Sequence, residues 1–358
     1  MTRVLKPSPD CSSTSQVKKM HIETLQTYLD REVGDARLRD LLDRIASACW
    51  SISSLVGRSA LQGNQGEAGT LNSQGEVQKP LDLMADEVFA HSCSGNGSVA
   101  ALISEEREGI VSLKDAQPGD FVVSYDPLDG SSNLDVDLSV GTIFAVSTVS
   151  EGFKSDHLPS GRELLCSGYA IYGPSTMLVL TVGGRVDGFT LETATDTFVL
   201  THPHMTVAPE TSEFAINASR FRHWDESIQD YVSQCIDGRN GSRGKAFNMR
   251  WTASFVAEVH RILIRGGVFL YPTDDENRFR GGKLRLLYQA NPMAMIIEAA
   301  GGRATDGQTD LLDIVAHDLH QRTSVVLGSR TEVERIAAAY IRAERASRDT
   351  QFTLAIDG

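Results

Sequence analysis

The run Asp126–Val136, Asp-Pro-Leu-Asp-Gly-Ser-Ser-Asn-Leu-Asp-Val, constrains the fold of this chain more than any other stretch. It follows the apolar run Phe121–Tyr125, so we expect its two leading aspartates to emerge where a strand ends. Pro127 fixes φ and bends the backbone between the carboxylates, and Gly130 lets the backbone approach a ligand closely. These residue types also build ordinary turns. Two carboxylates three positions apart, beside an amide-rich turn, nevertheless predict a place where divalent cations and a phosphate meet.

The composition excludes several classes of protein. The chain has 358 residues, 41% of them apolar and 23% charged, which is typical of a globular protein with more than one domain. Its formal net charge of −13 argues against a nucleic-acid partner. The five cysteines lack CxxC spacing, which excludes a zinc ribbon and favours reduced thiols. Such thiols are typical of a cytosolic protein, and we therefore expect a cytoplasmic location. No apolar run is long enough to span a membrane.

The hydrophobic pattern predicts a disordered tail and two domains. The tail covers residues 1–20, an N-terminal α/β domain covers 21–205, and a C-terminal α/β domain covers 206–358. Helical periodicity occurs at 36–57, 80–92, 227–235, 253–265, 292–300 and 330–345. Strand-like runs occur at 99–104, 121–125, 142–149, 166–172, 177–182, 189–191, 268–271 and 324–327. The loop at 58–79 is long enough to be functional or disordered.

Two further groups of charged residues accompany the aspartate motif. Glu105 and Glu106 end the strand-like run before it, and they could supply oxygen ligands and an acid/base group for metal-assisted hydrolysis. On an exposed surface, however, adjacent glutamates commonly form only a solvated face. Lys283 and Arg285 lie two positions apart in an extended segment, so they point the same way and favour phosphate binding.

Together these stretches resemble class I fructose-1,6-bisphosphatase, of the sugar and inositol phosphatase superfamily. The resemblance runs from about residue 22 to residue 340, nearly the whole chain. The motifs that carry it are Asp126–Asn133, Ser139–Phe144, Gly168–Gly173, Lys283–Tyr288, Asn291–Ala294 and His320–Arg322. The resemblance implies a five-layer α/β/α/β/α sandwich, Mg²⁺ as cofactor with Mn²⁺ as a substitute, a small phosphorylated sugar as substrate, and a homotetramer.

The resemblance also implies roles for the residues at matching positions. The expected metal ligands are Glu105, Glu106, Asp126, the carbonyl of Leu128, Asp129 and Gln289. The expected catalytic residues, which orient or deprotonate the attacking water, are Glu106, Asp82 and Glu76. The expected substrate contacts are Gly130, Ser131 and Ser132 at the 1-phosphate, Asn217, Arg220, Tyr271 and Lys283 at the 6-phosphate, Arg285 and Tyr288 at the sugar, and Arg250 with Trp251 beside it. The resemblance thus assigns metal binding to the domain 21–205 and sugar-phosphate binding to the domain 206–358. Arg250 is expected to reach in from a neighbouring subunit, and Asn72 belongs to a loop that closes over the metals.

Some positions depart from the family pattern. Gln289 stands where the family has a metal-binding glutamate, and a neutral amide carbonyl in that role predicts weaker metal affinity at one site. Arg220 and Trp251 each stand where the family has a tyrosine, and Glu76 stands where it usually has an aspartate. Arg220 either strengthens the phosphate site or points to solvent.

The activity implied is magnesium-dependent hydrolysis of the 1-phosphate of fructose 1,6-bisphosphate, giving fructose 6-phosphate and phosphate. Sedoheptulose 1,7-bisphosphate is an alternative or second substrate, and the pathway, gluconeogenesis or the Calvin cycle, stays open. An alternative of another class is a catalytically weakened paralogue that binds or regulates, a reading motivated by Gln289. The five carboxylates Asp82, Glu105, Glu106, Asp126 and Asp129 argue for an enzyme.

Overall fold

The computed structural model of the chain describes residues 23–62, 79–149 and 158–356. The predicted tail at 1–20 and the loop residues Asn72 and Glu76 lie outside these ranges. The described α-helices are α1 (Leu25–Glu32), α2 (Ala36–Val56), α3 (Ser59–Gln62), α4 (Pro80–Ser94), α5 (Glu226–Ile236), α6 (Phe255–Arg265), α7 (Asn291–Ala299) and α8 (Arg330–Ile356). None of them is both long enough and apolar enough to cross a bilayer.

The described strands run β1 (Val99–Ser104), β2 (Val111–Ser112), β3 (Phe121–Asp129), β4 (Val140–Thr148), β5 (Leu164–Tyr172), β6 (Thr176–Val182), β7 (Arg185–Glu192), β8 (Thr197–His202), β9 (Glu213–Ala215), β10 (Asn248–Met249), β11 (Val268–Tyr271), β12 (Leu284–Arg285), β13 (Arg303–Thr305), β14 (Arg322–Thr323) and β15 (Val325–Gly328). They form an eight-stranded sheet ordered β2-β1-β3-β4-β5-β6-β7-β8, a five-stranded sheet ordered β10-β9-β11-β15-β13, and the pair β12-β14. In the large sheet β1 and β3 are parallel, and the other neighbours are antiparallel.

The large sheet is covered by helices on both faces. Because successive residues of a strand point to opposite faces, Phe144 and Val146 of β4 pack in one core with α1, α2 and α4. Ile143 of the same strand packs in a second core with α6, α7 and the inner face of the five-stranded sheet. The outer face of that sheet, through Val268 and Leu270, packs against α5 and α8. These contacts give the predicted five layers, α/β/α/β/α.

Each predicted helix and strand is present, and the ends of all but one differ from the prediction by at most four residues. The exception is α8, which was predicted at 330–345 and continues to Ile356. Helix α1 and strand β8 were not predicted, because their sequences show no strong hydrophobic periodicity. Helix α1 has only eight residues, of which Leu25, Tyr28 and Leu29 are buried. The first sheet ends with β8 at His202, and the second begins with β9 at Glu213. The domain division at 205/206 stays a prediction.

Candidate active site

The strand before the aspartate motif is longer than the predicted run 121–125. The first four residues of the motif, Asp126–Asp129, form its end instead of following it. Strand β3 continues through Asp129, and its pairing with β4 shifts register between Asp126 and Asp129. The shift has a physical reason, since Pro127 has no N–H to donate to the ladder. Gly130 then adopts φ 75°, a left-handed conformation, and a 3-10 helix, Ser131–Val136, begins. Both carboxylates are thereby fixed on rigid backbone beside a turn of exposed amides.

A cavity of about 480 Å³ brings most of the predicted site residues together. Its volume lies within the usual range for small-molecule sites. It is lined by Asp82, Glu105, Glu106, Asp126, Leu128, Asp129, Gly130, Ser131, Ser132, Asn217, Trp251, Ala253, Ser254, Phe255, Phe269, Tyr271, Lys283, Leu284, Arg285 and Gln289. These residues come from both sheets, so neither sheet forms the cavity alone.

Asp129 is held by the N-terminus of α6. Its Oδ2 accepts hydrogen bonds from Ser254 Oγ at 3.0 Å and from the backbone N–H of Val256 at 2.9 Å. Ser254 is also the N-cap of α6, because its Oγ accepts the N–H of Ala257. The helix N-terminus favours a negative charge at this point. One oxygen of Asp129 is thus engaged by protein donors.

Gln289 bridges the buried carboxylate of Asp126 and the half-buried carboxylate of Glu105. Its Nε2 donates to Asp126 Oδ2 at 2.8 Å and to Glu105 Oε2 at 3.2 Å. Its carbonyl, expected to ligate a metal, accepts the backbone N–H of Arg285 at 2.8 Å. The remaining oxygen of Asp126 accepts the N–H of Leu128 at 3.0 Å.

Asp82 lies in the first turn of α4. Its Oδ2 accepts the N–H of Lys79 at 2.9 Å and the hydroxyl of Ser131 at 3.4 Å. Its Oδ1 is buried and has no hydrogen-bond partner among the described residues. Burial is the main cause that raises the pKa of Asp82 to about 6.

Burial also shapes the charge state of the two aspartates of the motif. It raises the pKa of Asp129 to about 6, although the donors of α6 oppose the rise. Burial, then the charges of Glu105 and Asp129, raise the pKa of Asp126 well above its usual value. Crowded, buried carboxylates of this kind are stable when protons or cations balance them.

The residues fit a divalent cation by their chemistry. Carboxylate and carbonyl oxygens are the ligands that magnesium prefers, and Asp82 Oδ1 is a buried acceptor without a partner among the described residues. As they stand, no three His, Cys, Asp or Glu side chains within 23–62, 79–149 and 158–356 form a ready ligand group. The cavity therefore supplies suitable oxygens, with Gln289 and α6 occupying some of them.

Cationic and aromatic side chains complete the lining. Lys283, Leu284 and Arg285 all line the cavity. Trp251 stacks on Phe269 with ring planes 4° apart and lies 5.9 Å from the ring of Tyr271. The cavity thus offers positive charge and flat apolar surface beside the carboxylates.

Three described residues expected at the substrate are not part of the lining. Arg220 pairs with Asp274 and Glu276, at 2.9 Å in each case, and so is neither at the cavity nor pointing freely to solvent. The side chain of Arg250 is 49% exposed, with its Nε 3.9 Å from Glu213. Tyr288 is buried, and its hydroxyl forms a hydrogen bond with His320 Nδ1 at 2.9 Å.

Ser254 is the polar residue of the cavity lining that sequence reasoning missed, and the apolar residues Ala253, Phe255, Phe269 and Leu284 were not predicted either. A serine directly before an apolar helical run is an N-cap signal, and it could have been found. Its bond to Asp129 joins residues 125 positions apart and could not.

A layered α/β fold with buried carboxylates, turn amides and two cationic side chains around one cavity defines a phosphatase of small phosphorylated compounds. Family models described as the N-terminal and C-terminal domains of fructose-1,6-bisphosphatase match residues 16–203 and 207–341. The chain belongs to the fructose-1,6-bisphosphatase family, and it is an enzyme that hydrolyses fructose 1,6-bisphosphate.

Solved structures of Leishmania major fructose-1,6-bisphosphatase are similar to this chain along most of its length. The holo form superposes with a TM-score of 0.84 at 33% identity, covering 89% of this chain and 98% of the other. The apo form has a TM-score of 0.78 at 32% identity, covering 89% and 99%. The T-state has a TM-score of 0.78 at 32% identity, covering 89% and 98%.

Proposed function

We propose that the chain removes the 1-phosphate of fructose 1,6-bisphosphate with the help of Mg²⁺, which Mn²⁺ can replace. The observation that carries this proposal is the single cavity in which Asp82, Asp126 and Asp129 face the same space as Lys283 and Arg285. A bisphosphate needs both features, since one phosphate reacts and the other is held.

The metal would be held by the carboxylates of Glu105, Glu106, Asp126 and Asp129 and by the carbonyl of Leu128. When bound, a divalent cation supplies neutralisation of the phosphate oxygens, which lowers the barrier to attack by an anionic nucleophile.

The chain's own groups orient the reaction. Asp82, with a pKa near neutrality, is suited to accept a proton from the attacking water, together with Glu106. The exposed amides and hydroxyls from Gly130 to Ser132 donate to the phosphate that leaves the sugar. Lys283 and Tyr271, with Asn217, hold the second phosphate and so position the first.

The test uses two substrates and two lysines. Lys283→Met should raise KM for fructose 1,6-bisphosphate by roughly 10- to 100-fold, the worth of one charge-assisted hydrogen bond, and should change fructose 1-phosphate turnover little. Lys114→Met is the control, because Lys114 pairs with Asp120 away from the cavity. Equal losses on both substrates would contradict the assignment of Lys283 to the second phosphate.

Sedoheptulose 1,7-bisphosphate stays the alternative or second substrate. Phosphate release from both bisphosphates, with and without magnesium, ranks the two sugars by kcat/KM. No turnover of either sugar at any magnesium concentration would instead favour the binding-protein alternative.

We further propose a cytoplasmic homotetramer in which Arg250 serves the cavity of a neighbouring subunit. Its exposure and its absence from the cavity of its own chain support this. Hybrids of an Arg250→Ala chain and an Asp126→Ala chain should regain activity that neither parent has, because one chain keeps its carboxylates and receives the other's arginine. Failure of well-mixed hybrids to recover would refute sharing. Light scattering measures the number of subunits.

A further inference from the structure

We propose that Gln289 is a hydrogen-bond donor that takes the place of a cation between Glu105 and Asp126. The chain would then bind one divalent cation fewer than the same chain with glutamate at this position. The inference rests on the proposed metal centre, and it replaces the expectation that the Gln289 carbonyl is a metal ligand.

The orientation of the amide is fixed by three contacts. Gln289 Oε1 accepts the N–H of Arg285 at 2.8 Å, while Nε2 faces Asp126 at 2.8 Å and Glu105 at 3.2 Å. Exchanging the oxygen and nitrogen would set two N–H donors against each other and a carbonyl against two carboxylates. A backbone N–H cannot accept a hydrogen bond, so the observed orientation is the one that satisfies the N–H of Arg285.

The backbone around Gln289 holds the amide in place. The residue is 7% exposed and lies in a π-helical turn, Leu286–Ala290, whose residues are all buried. The preceding residue pair, Leu284–Arg285, is strand β12 and is anchored to β14. The side chain therefore has little freedom to turn its carbonyl toward the carboxylates.

The same geometry explains what a glutamate would do here. A third carboxylate within about 3 Å of Glu105 and Asp126 would be strongly repelled in a buried site unless a cation lay between them. Gln289 avoids this repulsion by donating to both neighbours, so it orders them without metal. It acts as a positioning residue, through the two carboxylates.

The experiment compares Gln289→Glu and Gln289→Met with the wild-type chain. Mn²⁺ binding to the full-length, metal-stripped chain is counted by electron paramagnetic resonance without substrate, and thermal unfolding is followed in EDTA at alkaline pH. Gln234→Glu is the matched control, because Gln234 Nε2 also donates to a carboxylate, Asp230, at 2.7 Å, but on the exposed surface of α5.

The inference expects Gln289→Glu to bind one Mn²⁺ more than wild type, and to unfold at lower temperature in EDTA but not with saturating Mn²⁺. Gln289→Met should unfold at lower temperature in EDTA and gain no ion, and Gln234→Glu should resemble wild type in both assays. If wild type and Gln289→Glu bound the same number of Mn²⁺ ions, or if Gln289→Met kept the wild-type melting temperature in EDTA, the proposed role of Gln289 would be wrong. The proposed metal centre would still stand. No Mn²⁺ binding by any variant would overturn the proposed metal centre as well.

Discussion

Replacing Gly130 by alanine tests whether the turn after the aspartates sets the position of Asp129. Gly130 has φ 75°, where a residue with a Cβ costs about 1–2 kcal/mol. A Cβ at this position would also lie 2.9 Å from Ser254 Cβ and 3.2 Å from Ser254 Cα. These atoms belong to the start of α6, so neither can rotate away and the helix end must shift.

The expected effect has a stability part and a functional part. Overpacking adds about 1–3 kcal/mol to the backbone cost, for a total loss of roughly 2–5 kcal/mol. At roughly 2 °C per kcal/mol for a large chain, the melting temperature should fall by roughly 4–10 °C. The shift also strains the 3.0 Å bond from Ser254 to Asp129. Losing this charge-assisted bond, worth about 1.5–3 kcal/mol, should lower kcat/KM roughly 10- to 100-fold.

Thermal unfolding and phosphate release measure the two parts, with Gly183→Ala as the control. Gly183 has φ 64° and nothing within 4 Å of an added Cβ, so it isolates the backbone cost. Gly183→Ala should lose about 1–2 kcal/mol of stability and keep its kcat/KM. If Gly130→Ala gave the same melting temperature and kcat/KM as this control, the contact between the turn and α6 would not determine the position of Asp129.

Three other predictions concern pH and buried charge. Burial raises the pKa of Asp82 and Asp129 to about 6 in the folded chain, so without metal their contribution to stability is full below about pH 4 and lost as pH rises through about 6. Magnesium should therefore raise the melting temperature more at about pH 7.5 than at about pH 5, and equal shifts would contradict this. Burial lowers the pKa of His260 to about 4, so its contribution to stability is full above about pH 6.5 and is lost as pH falls toward 4. His260→Phe should therefore flatten the pH dependence of the melting temperature in this range, and an unchanged pH dependence would contradict a buried, neutral His260. Arg243→Met leaves Glu332, whose side chain is 1% exposed, without its arginine and should cost about 3–5 kcal/mol in urea unfolding; a loss below about 1 kcal/mol would contradict a buried ion pair.

The elements of the fold were accessible from local patterns. Strand β1 has the predicted bounds, 99–104, because a six-residue apolar run between turn residues has few alternatives. The end of β3 was misjudged for a local reason: the polar motif reads as a turn, yet its backbone stays paired with β4. Tertiary pairing overrides the local preference of the residues.

By itself the sequence determined which chemical groups are present, their order along the chain, and their spacing within each motif. Only the tertiary structure decided what those groups contact. Gln289 donates a hydrogen bond to Asp126, 163 positions away, and Arg220 donates one to Asp274, 54 positions away. A hydrogen bond depends on distance and direction to within a few tenths of an ångström, and for residues so far apart the packing of whole sheets and helices sets both.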